Sequence, residues 1–266
     1  MTNEWELKKL FVEIGHRIWI RGYVAANDGN MTVRLNEKEL LTTPTGISKG
    51  FMTTDMIIKV DYDGNVISGN PKYRPSSEVK MHIDVYKERP DINAVVHSHP
   101  PYCTSFAVAG IPLNKCVLPE AIIVIGAVPI AKYGLPSTDE LPDNIRPHIK
   151  TSDAILLENH GALTLGTDLL SAYHKMETLE HTANIVWKAI QLGNMNVLPE
   201  DERDRLMTLR DKFNLPGRIT TCDATPMSSS AEPLINAKPW SSANTTKVSD
   251  ETIREITESV IAKLNK

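Results

Sequence analysis

Two histidines separated by one serine, His97 and His99, are the residues whose types and spacing most clearly suggest chemistry. Successive side chains of a β-strand point to opposite faces, so residues two apart share a face and both imidazoles can reach one ion. The apolar residues 94–96 precede the pair and indicate a largely buried strand. Taken alone, the pair is equally compatible with two histidines on a solvent-facing strand.

Two further groups could complete a metal site. His160 lies in a turn between two apolar segments, where a polar ring needs a purpose or a partner. Glu78 begins a predicted helix, where a carboxylate suits the helix dipole and could also be only a first-turn residue. Three histidines and one carboxylate would hold a four-coordinate Zn²⁺. The remaining histidines are assigned to structure or surface: His16, His82, His148, His174 and His181.

Three short segments carry groups that bind anions: residues 28–32, 43–46 and 75–77. Backbone N–H groups at glycine turns and at a helix N-terminus, together with Ser and Thr hydroxyls, form an anion cradle. Each segment is individually also an ordinary turn or cap. Jointly they predict a phosphate near the proposed metal, because Ser77 adjoins Glu78. The chain has neither a P-loop motif nor a dinucleotide-binding glycine motif, which argues against nucleotide binding.

Composition sets further limits on function. The 266 residues are 41% hydrophobic with a net charge of −4 and no basic run, which disfavours a nucleic-acid binder. The first residues lack the apolar region of a signal peptide, and the apolar residues 121–131 are too short to span a bilayer. Cys103, Cys116 and Cys222 show no CxxC spacing, and three free thiols in the cytoplasm are expected.

Hydrophobic periodicity predicts alternating helices and strands. Predicted helices cover residues 7–18, 77–88, 102–109, 169–192 and 200–213, and one more opens at residues 137–140 with capping-box spacing. Predicted strands cover residues 31–35, 40–43, 56–60, 66–68, 92–99, 154–157 and 162–165, and residues 121–130 form a buried apolar segment. The mixture predicts one α/β domain with a largely antiparallel sheet covered by helices.

The character of the chain changes after about Gly217. Residues 218–248 are rich in Ser, Thr, Ala, Asn and Pro, which is typical of a flexible linker. Residues 249–266 become helical again, with one apolar face formed by Ile253, Ile256, Val260, Ile261 and Leu264. We therefore predict a catalytic domain over residues 1–217, a linker over residues 218–248 and an amphipathic helix over residues 249–266.

The ordered set of segments resembles the class II (zinc-dependent) aldolase/adducin family over about residues 5–215. The matching segments are residues 29–30, 43–46, 76–78, 94–99 and 159–161. The resemblance implies a single three-layer αβα domain and a C4 homotetramer whose active sites lie between neighbouring subunits. It implies one Zn²⁺ per subunit on His97, His99 and His160, with Glu78 alternating between zinc ligand and acid/base. It implies a phosphate site on Gly29, Asn30, Thr45, Gly46, Ser76 and Ser77.

The family chemistry is cleavage of a small ketose phosphate. The resemblance implies an L-fuculose 1-phosphate or L-rhamnulose 1-phosphate type of aldolase, which yields dihydroxyacetone phosphate and lactaldehyde. The tyrosine that such aldolases contribute from a neighbouring subunit is missing from residues 115–120, and the tail tyrosine is missing near residues 213–215. Glu120 stands where related dehydratases place an acid/base glutamate, and it could equally be a salt-bridge residue of the loop.

Other functions are compatible with the same scaffold. A ribulose-5-phosphate 4-epimerase or a methylthioribulose-1-phosphate dehydratase would use a similar metal site, although the His-Ala-Asp segment of the epimerases is absent. A non-catalytic adducin-like interaction module is a different class, and it would be expected to lack metal ligands.

The terminal arrangement of polar linker and short helix resembles an encapsulation peptide of bacterial microcompartments. It predicts that residues 249–265 bind a shell protein and place a cytoplasmic enzyme in the compartment lumen. The other expectation is that this helix docks on its own domain or on a neighbouring subunit, because so short a helix needs a partner for its apolar face.

Overall fold

The computed structural model describes residues 3–226, and its helices and strands alternate along the chain. The helices are α1 (Glu4–Ile20), α2 (Val79–Glu88), α3 (Pro101–Ala109), α4 (Pro119–Val124), α5 (Glu140–Ile149), α6 (Leu169–Gln191) and α7 (Glu200–Lys212). The strands are β1 (Asn30–Arg34), β2 (Leu40–Thr42), β3 (Ile58–Val60), β4 (Val66–Ser68), β5 (Ala94–Ser98), β6 (Ile130–Ala131), β7 (Ala154–Leu157) and β8 (Gly161–Gly166). None of the described helices is long and apolar enough to cross a membrane.

One eight-stranded sheet forms the middle of the domain, in the order β4-β3-β2-β1-β5-β8-β7-β6. Every pairing is antiparallel except that of β6 with β7, so the predicted largely antiparallel sheet is confirmed. Strands β5 and β8 lie side by side at the centre, and all their residues are buried. These two strands carry or flank the candidate metal ligands.

Helices cover both faces of the sheet. Alternate residues of β5 pack into different cores, with Val96 in the core that includes Phe11 of α1 and Val95 in the core that includes Ile145 of α5. Helices α3 and α6 belong to the first core and α2 to the second. Because strand side chains alternate between faces, this division makes three layers, as the αβα prediction requires.

Two local predictions are wrong. Residues 137–140 do not form a capping box: α5 begins at Glu140, and Ser137 has a φ of 67°. An N-cap needs extended backbone, which a left-handed residue cannot provide. The apolar residues 121–130 are also not one segment, since Gly126 with a φ of 64° separates α4 from β6. Helix α6, by contrast, begins at the predicted residue 169, and the carboxylate of its N-cap Asp168 accepts a hydrogen bond from the Ser171 backbone amide at 2.8 Å.

The prediction of three free thiols is wrong for two of the cysteines. Cys116 and Cys222 form a disulfide with their Cα atoms 5.3 Å apart, while Cys103 is free and buried. The two cysteines are 106 residues apart in the sequence, so no local spacing predicts their disulfide. The prediction rested on an expected reducing compartment, and the compartment does not determine which cysteines the fold brings together.

The pairing is possible because residues 218–226 lie against the catalytic domain. The Ala127 amide donates to the Thr220 carbonyl at 2.8 Å, and the Asp223 amide donates to the Asn114 carbonyl at 2.7 Å. The first part of the predicted linker therefore packs on the domain. The rest of that linker and the predicted helix over residues 249–266 lie outside the described residues.

Candidate metal centre

The four predicted metal ligands come from three elements that meet at one end of the central strands. His97 lies in β5, between Asn30 of β1 and Leu163 of β8, and His99 follows the strand directly. His160 lies in the turn between β7 and β8, and Glu78 immediately precedes α2. The structure thus confirms that residues distant in sequence converge.

The donor atoms of these residues are within reach of one ion. The Nε2 atoms of His97 and His99 are 3.1 Å apart, and Glu78 Oε2 lies 3.5 Å from His97 Nε2. His160 Nε2 lies 3.2 Å from Glu78 Oε1. Ligands that bind Zn²⁺ tetrahedrally at about 2.0–2.1 Å are about 3.3 Å from one another. The donor set therefore fits zinc in both chemistry and spacing.

Hydrogen bonds orient the ligands toward their common centre. His97 Nδ1 donates to the Ala162 carbonyl at 2.9 Å, which leaves Nε2 free to bind a metal. His99 Nδ1 lies 3.4 Å from the Asp28 carboxylate, and the Asn30 amide donates to Glu78 Oε2 at 2.7 Å. Glu78 Oε1 is buried without a hydrogen-bond partner among the described residues, a need that a coordinated cation would satisfy.

The protonation states suit metal binding. Burial lowers the pKa of His97 well below its ordinary value and also lowers the pKa of His99, so both rings are neutral. Burial acts to raise the pKa of Glu78, but His97, His160 and the Asn30 amide outweigh it, and the pKa is lowered. Neutral imidazoles beside an ionised carboxylate are the form in which these groups ligate zinc.

His82 is not part of the histidine cluster, and its contacts suit the predicted structural role. Its ring is fully buried, its Nδ1 lies 2.9 Å from Thr32 Oγ1, and the same hydroxyl lies 2.8 Å from the Tyr86 hydroxyl. Burial lowers the pKa of His82 to about 4. A neutral ring in a hydrogen-bonded network of this kind supports packing of α2 on the sheet.

Two glycines allow the backbone to approach the metal centre closely. Gly29 has a φ of 73°, and a Cβ there would lie 2.7 Å from a Val24 methyl group and 3.0 Å from the His97 carbonyl. A Cβ on Gly161 would lie 2.6 Å from the His99 ring. Any larger residue at either position would displace the histidines, so both glycines shape the site.

Glu180 supports the chain where it leaves the histidine pair. Helix α3 starts two residues after His99 and has no side-chain cap of its own. The buried carboxylate of Glu180, from α6, accepts hydrogen bonds from the backbone amides of Tyr102 at 3.0 Å and Cys103 at 2.8 Å. No local motif predicts this long-range cap, because the Tyr102 and Cys103 amides are separated from Glu180 by 78 and 77 positions in the sequence.

A polar cavity of about 210 Å³ opens beside the metal centre. Five of the predicted phosphate-binding residues line it: Gly29, Asn30, Thr45, Ser76 and Ser77. Gly46 follows Thr45 with a φ of 71° but does not line the cavity itself. His99, His160 and Glu78 line the same space. Three of the predicted metal ligands and five of the predicted phosphate-binding residues therefore line one cavity.

One candidate residue lies away from the cavity, and one residue that lines the cavity was not a candidate. Glu120 is exposed in the first turn of α4 and does not line the cavity of its own chain. Lys49, which sequence analysis did not select, is buried and lines the cavity. A lysine three residues after a glycine turn is a weak signal, because most lysines lie on the surface.

Comparison with known proteins agrees with this geometry. Residues 9–187 match the family described as Class II Aldolase and Adducin N-terminal domain. The chain belongs to this family. It is 39% identical over 175 residues to an L-fuculose phosphate aldolase of Methanococcus maripaludis, covering 66% of this chain and 93% of that protein. Another relative, 32% identical over 182 residues, is a 3-oxo-tetronate 4-phosphate decarboxylase of Haemophilus influenzae, covering 67% of this chain and 85% of that protein.

Solved structures of the family share the fold. A structure of L-fuculose 1-phosphate aldolase superposes with a TM-score of 0.70 at 31% identity and covers 79% of this chain and 97% of its own. The class II aldolase fold that the sequence motifs imply is thereby confirmed. The relatives carry two different activities in their names, so membership of the family leaves the substrate to be established by experiment.

Proposed function

We propose that this protein is a zinc-dependent lyase that cleaves a carbon–carbon bond in a small sugar phosphate. The proposed substrates are L-fuculose 1-phosphate or L-rhamnulose 1-phosphate, and the products are dihydroxyacetone phosphate and lactaldehyde. The observation that carries the proposal is the convergence of His97, His99, His160 and Glu78, of which the last three line a cavity together with the predicted anion-binding residues. The relatives that are named L-fuculose phosphate aldolases support this type of reaction.

In this proposal the chain's own residues position the reacting groups. A bound zinc ion would supply a Lewis acid for the negative charge that develops on the substrate oxygens. His97, His99 and His160 would hold the ion. Glu78, held by Asn30 at 2.7 Å, is ionised and can first accept a proton from the substrate and, once protonated, donate a proton to the substrate carbon.

The other side of the cavity fixes the phosphate. Ser76, Ser77 and Thr45 offer hydroxyl groups, and the loop through Gly29 approaches the metal centre closely. An anchored phosphate limits how the substrate can turn, so the bond to be cleaved is held near the metal and Glu78. Such positioning contributes a large part of enzymatic rate enhancement.

A decarboxylase acting on a 3-oxo-tetronate 4-phosphate is a second candidate function. The relative from Haemophilus influenzae carries that name at 32% identity. The reaction also breaks a carbon–carbon bond beside a carbonyl group, so the same metal, glutamate and phosphate site would serve it. The presence of all four metal ligands argues against a non-catalytic, adducin-like module.

Product analysis distinguishes these activities. Zinc-loaded protein is incubated with L-fuculose 1-phosphate, L-rhamnulose 1-phosphate and 3-oxo-tetronate 4-phosphate, while dihydroxyacetone phosphate and carbon dioxide are measured. The proposal expects dihydroxyacetone phosphate from one of the ketose phosphates. It also expects solvent deuterium to enter dihydroxyacetone phosphate without aldehyde present. Carbon dioxide from the tetronate, without turnover of either ketose phosphate, would establish the second candidate and overturn the first.

Assembly and localisation belong to the same proposal. We infer a homotetramer in which the first turn of α4, which carries Glu120, reaches the active site of a neighbouring subunit, where the exposed carboxylate would replace the missing interface tyrosine. Residues 249–265, which lie outside the described residues, are proposed to bind a microcompartment shell protein. A lumenal location suits an enzyme that releases a reactive aldehyde.

A further inference from the structure

Lys49 is a buried lysine at the junction of the two loops that enclose the anion side of the cavity. Only 1% of the residue is exposed. Its ammonium group donates to the Asn27 carbonyl at 2.9 Å and to the Ile47 carbonyl at 2.8 Å. One carbonyl precedes Gly29 and Asn30, and the other follows Thr45, so the ammonium lies between the loops that supply these groups.

The charge of Lys49 is not neutralised by a carboxylate. Among the described residues no Asp or Glu oxygen lies within ion-pair distance of its Nζ atom. The other buried lysine, Lys175, shows the usual arrangement, with Asp153 Oδ2 at 2.7 Å. Burying an ammonium group without a counter-charge is costly, so such a group is retained where an anion will bind.

The other charged groups that line the cavity indicate that Lys49 is its anion-binding cation. Of the described residues that line the cavity, Lys49 is the only lysine or arginine. Asp28 and Glu78 also line it, and their two negative charges would balance a divalent metal. Once the metal has bound, the positive charge of Lys49 is therefore left to attract an anionic ligand.

Lys49 keeps this charge at neutral pH. Burial lowers the pKa of its amine to about 8, while Asp28 and Glu78 act in the opposite direction. The amine is consequently protonated in most molecules at pH 7. Two of its N–H groups are used by the backbone carbonyls, and the third is available to a ligand.

We propose that Lys49 directly binds the phosphate group of the substrate and is the principal determinant of anion affinity in this cavity. The identity of the anion rests on the proposed function, whereas the binding of an inorganic anion does not. The competing explanation is that Lys49 only ties the two loops together and never contacts a ligand.

Binding of inorganic phosphate to the zinc-loaded, full-length protein tests the proposal without any turnover. Calorimetry compares the natural protein with Lys49→Met, Lys49→Arg and the surface control Lys80→Met, whose side chain is 57% exposed. We expect Lys49→Met to weaken phosphate binding about 10- to 100-fold, as for loss of a charge-assisted hydrogen bond. Lys49→Arg should recover part of the affinity, and Lys80→Met should match the natural protein. Zinc content should be equal in all four.

Phosphate affinity in folded, zinc-loaded Lys49→Met within about threefold of the natural protein would overturn the proposal and leave Lys49 as a loop tie. If this variant does not fold, the pH dependence decides. Phosphate affinity of the natural protein should fall as the pH rises above about 8, where Lys49 loses its proton. Lys49→Arg should keep its affinity there, and parallel profiles for the two proteins would equally overturn the proposal. Absence of aldolase activity would leave this result untouched.

Discussion

The buried polar cluster around Asp153 and the candidate metal centre differ in how completely their groups are paired. In the first, Asp153 is fully buried and accepts hydrogen bonds from Arg89 at 2.8 Å, from Lys175 at 2.7 Å and from the Arg218 amide at 3.1 Å. Arg89 also donates to the Ile149 carbonyl at 2.6 Å. The Asp153 carboxylate thus has partners on both oxygens, and the cluster joins α6 and the segment after α7 to the sheet.

The second cluster is the candidate metal centre, where partners are incomplete. Two of its histidines are held neutral by burial, and Glu78 Oε1 has no hydrogen-bond partner among the described residues. The comparison teaches that burial of polar groups does not by itself mark a functional site. Here the fully paired Asp153 cluster stabilises the fold, while the unpaired Glu78 oxygen lies among groups that can bind a metal.

The largest effect is expected from loss of a metal ligand. His160→Ala should lower zinc content and reduce turnover more than about 100-fold, because even loss of an outer partner of a ligand costs 10- to 100-fold. A chelator should abolish activity in the natural protein. Zinc analysis and a turnover assay measure both effects, with the exposed His174→Ala as control. Full activity in demonstrably metal-free protein would contradict the assignment of this cluster.

Glu78→Gln separates proton transfer from metal binding. The amide keeps the shape of the side chain but cannot act as an acid/base, so turnover should fall on the order of 100-fold or more. Thermal unfolding should change little, since Glu78 is not part of the paired cluster. Glu13→Gln, on the exposed face of α1, is the matched control. Turnover near that of the natural protein would show that Glu78 is not the acid/base and only stands at the start of a helix.

Asp153→Ala should show the opposite behaviour, with reduced stability and retained zinc binding. Removing this carboxylate leaves Arg89 and Lys175 charged and buried, which typically costs about 3–5 kcal/mol in the free energy of unfolding. Asp91→Ala removes a more exposed partner of the same arginine and should cost at most about 1 kcal/mol. Urea unfolding and zinc analysis measure the two properties. Equal stability of both variants would show that pairing does not distinguish the clusters.

The smallest effect is expected at the C-terminus. Truncation after Pro226 keeps the segment that packs on the domain, so turnover and stability should stay within about 0.5 kcal/mol of the natural protein. Truncation after Leu215 removes Arg218 and Cys222 and should destabilise the Asp153 cluster. Separately, residues 249–266 fused to a fluorescent protein should be recruited to microcompartment shells. Loss of activity on truncation after Pro226, together with no recruitment of the fusion, would show that the residues after Pro226 serve the enzyme itself.

Much of the metal centre was predictable because the informative signals are local. The spacing of His97 and His99 on a strand brings both rings to one face whatever the rest of the fold does. The flanking apolar runs predict strands β5, β7 and β8 nearly at their observed bounds. The convergence of Glu78 and His160 with this pair was available only through the ordered family motifs, since no single segment contains all four.

Other features depended on contacts that no local pattern contains. Ser137 has the spacing of a capping residue, yet its backbone conformation excludes that role. Residues 218–226 have the composition of a linker, but carbonyl and amide partners on the domain and the disulfide to Cys116 hold them in place.

The sequence by itself therefore determined the alternation of helices and strands, the family and the candidate metal ligands, because periodicity and motif order are properties of the chain. Only the tertiary structure decided which polar groups are paired. Lys49 and Lys175 are both buried lysines, and their surroundings alone make one a candidate anion ligand and the other part of a structural ion pair. The physical reason is that the free energy of a buried charge depends on its neighbours in space, and these come from distant parts of the chain.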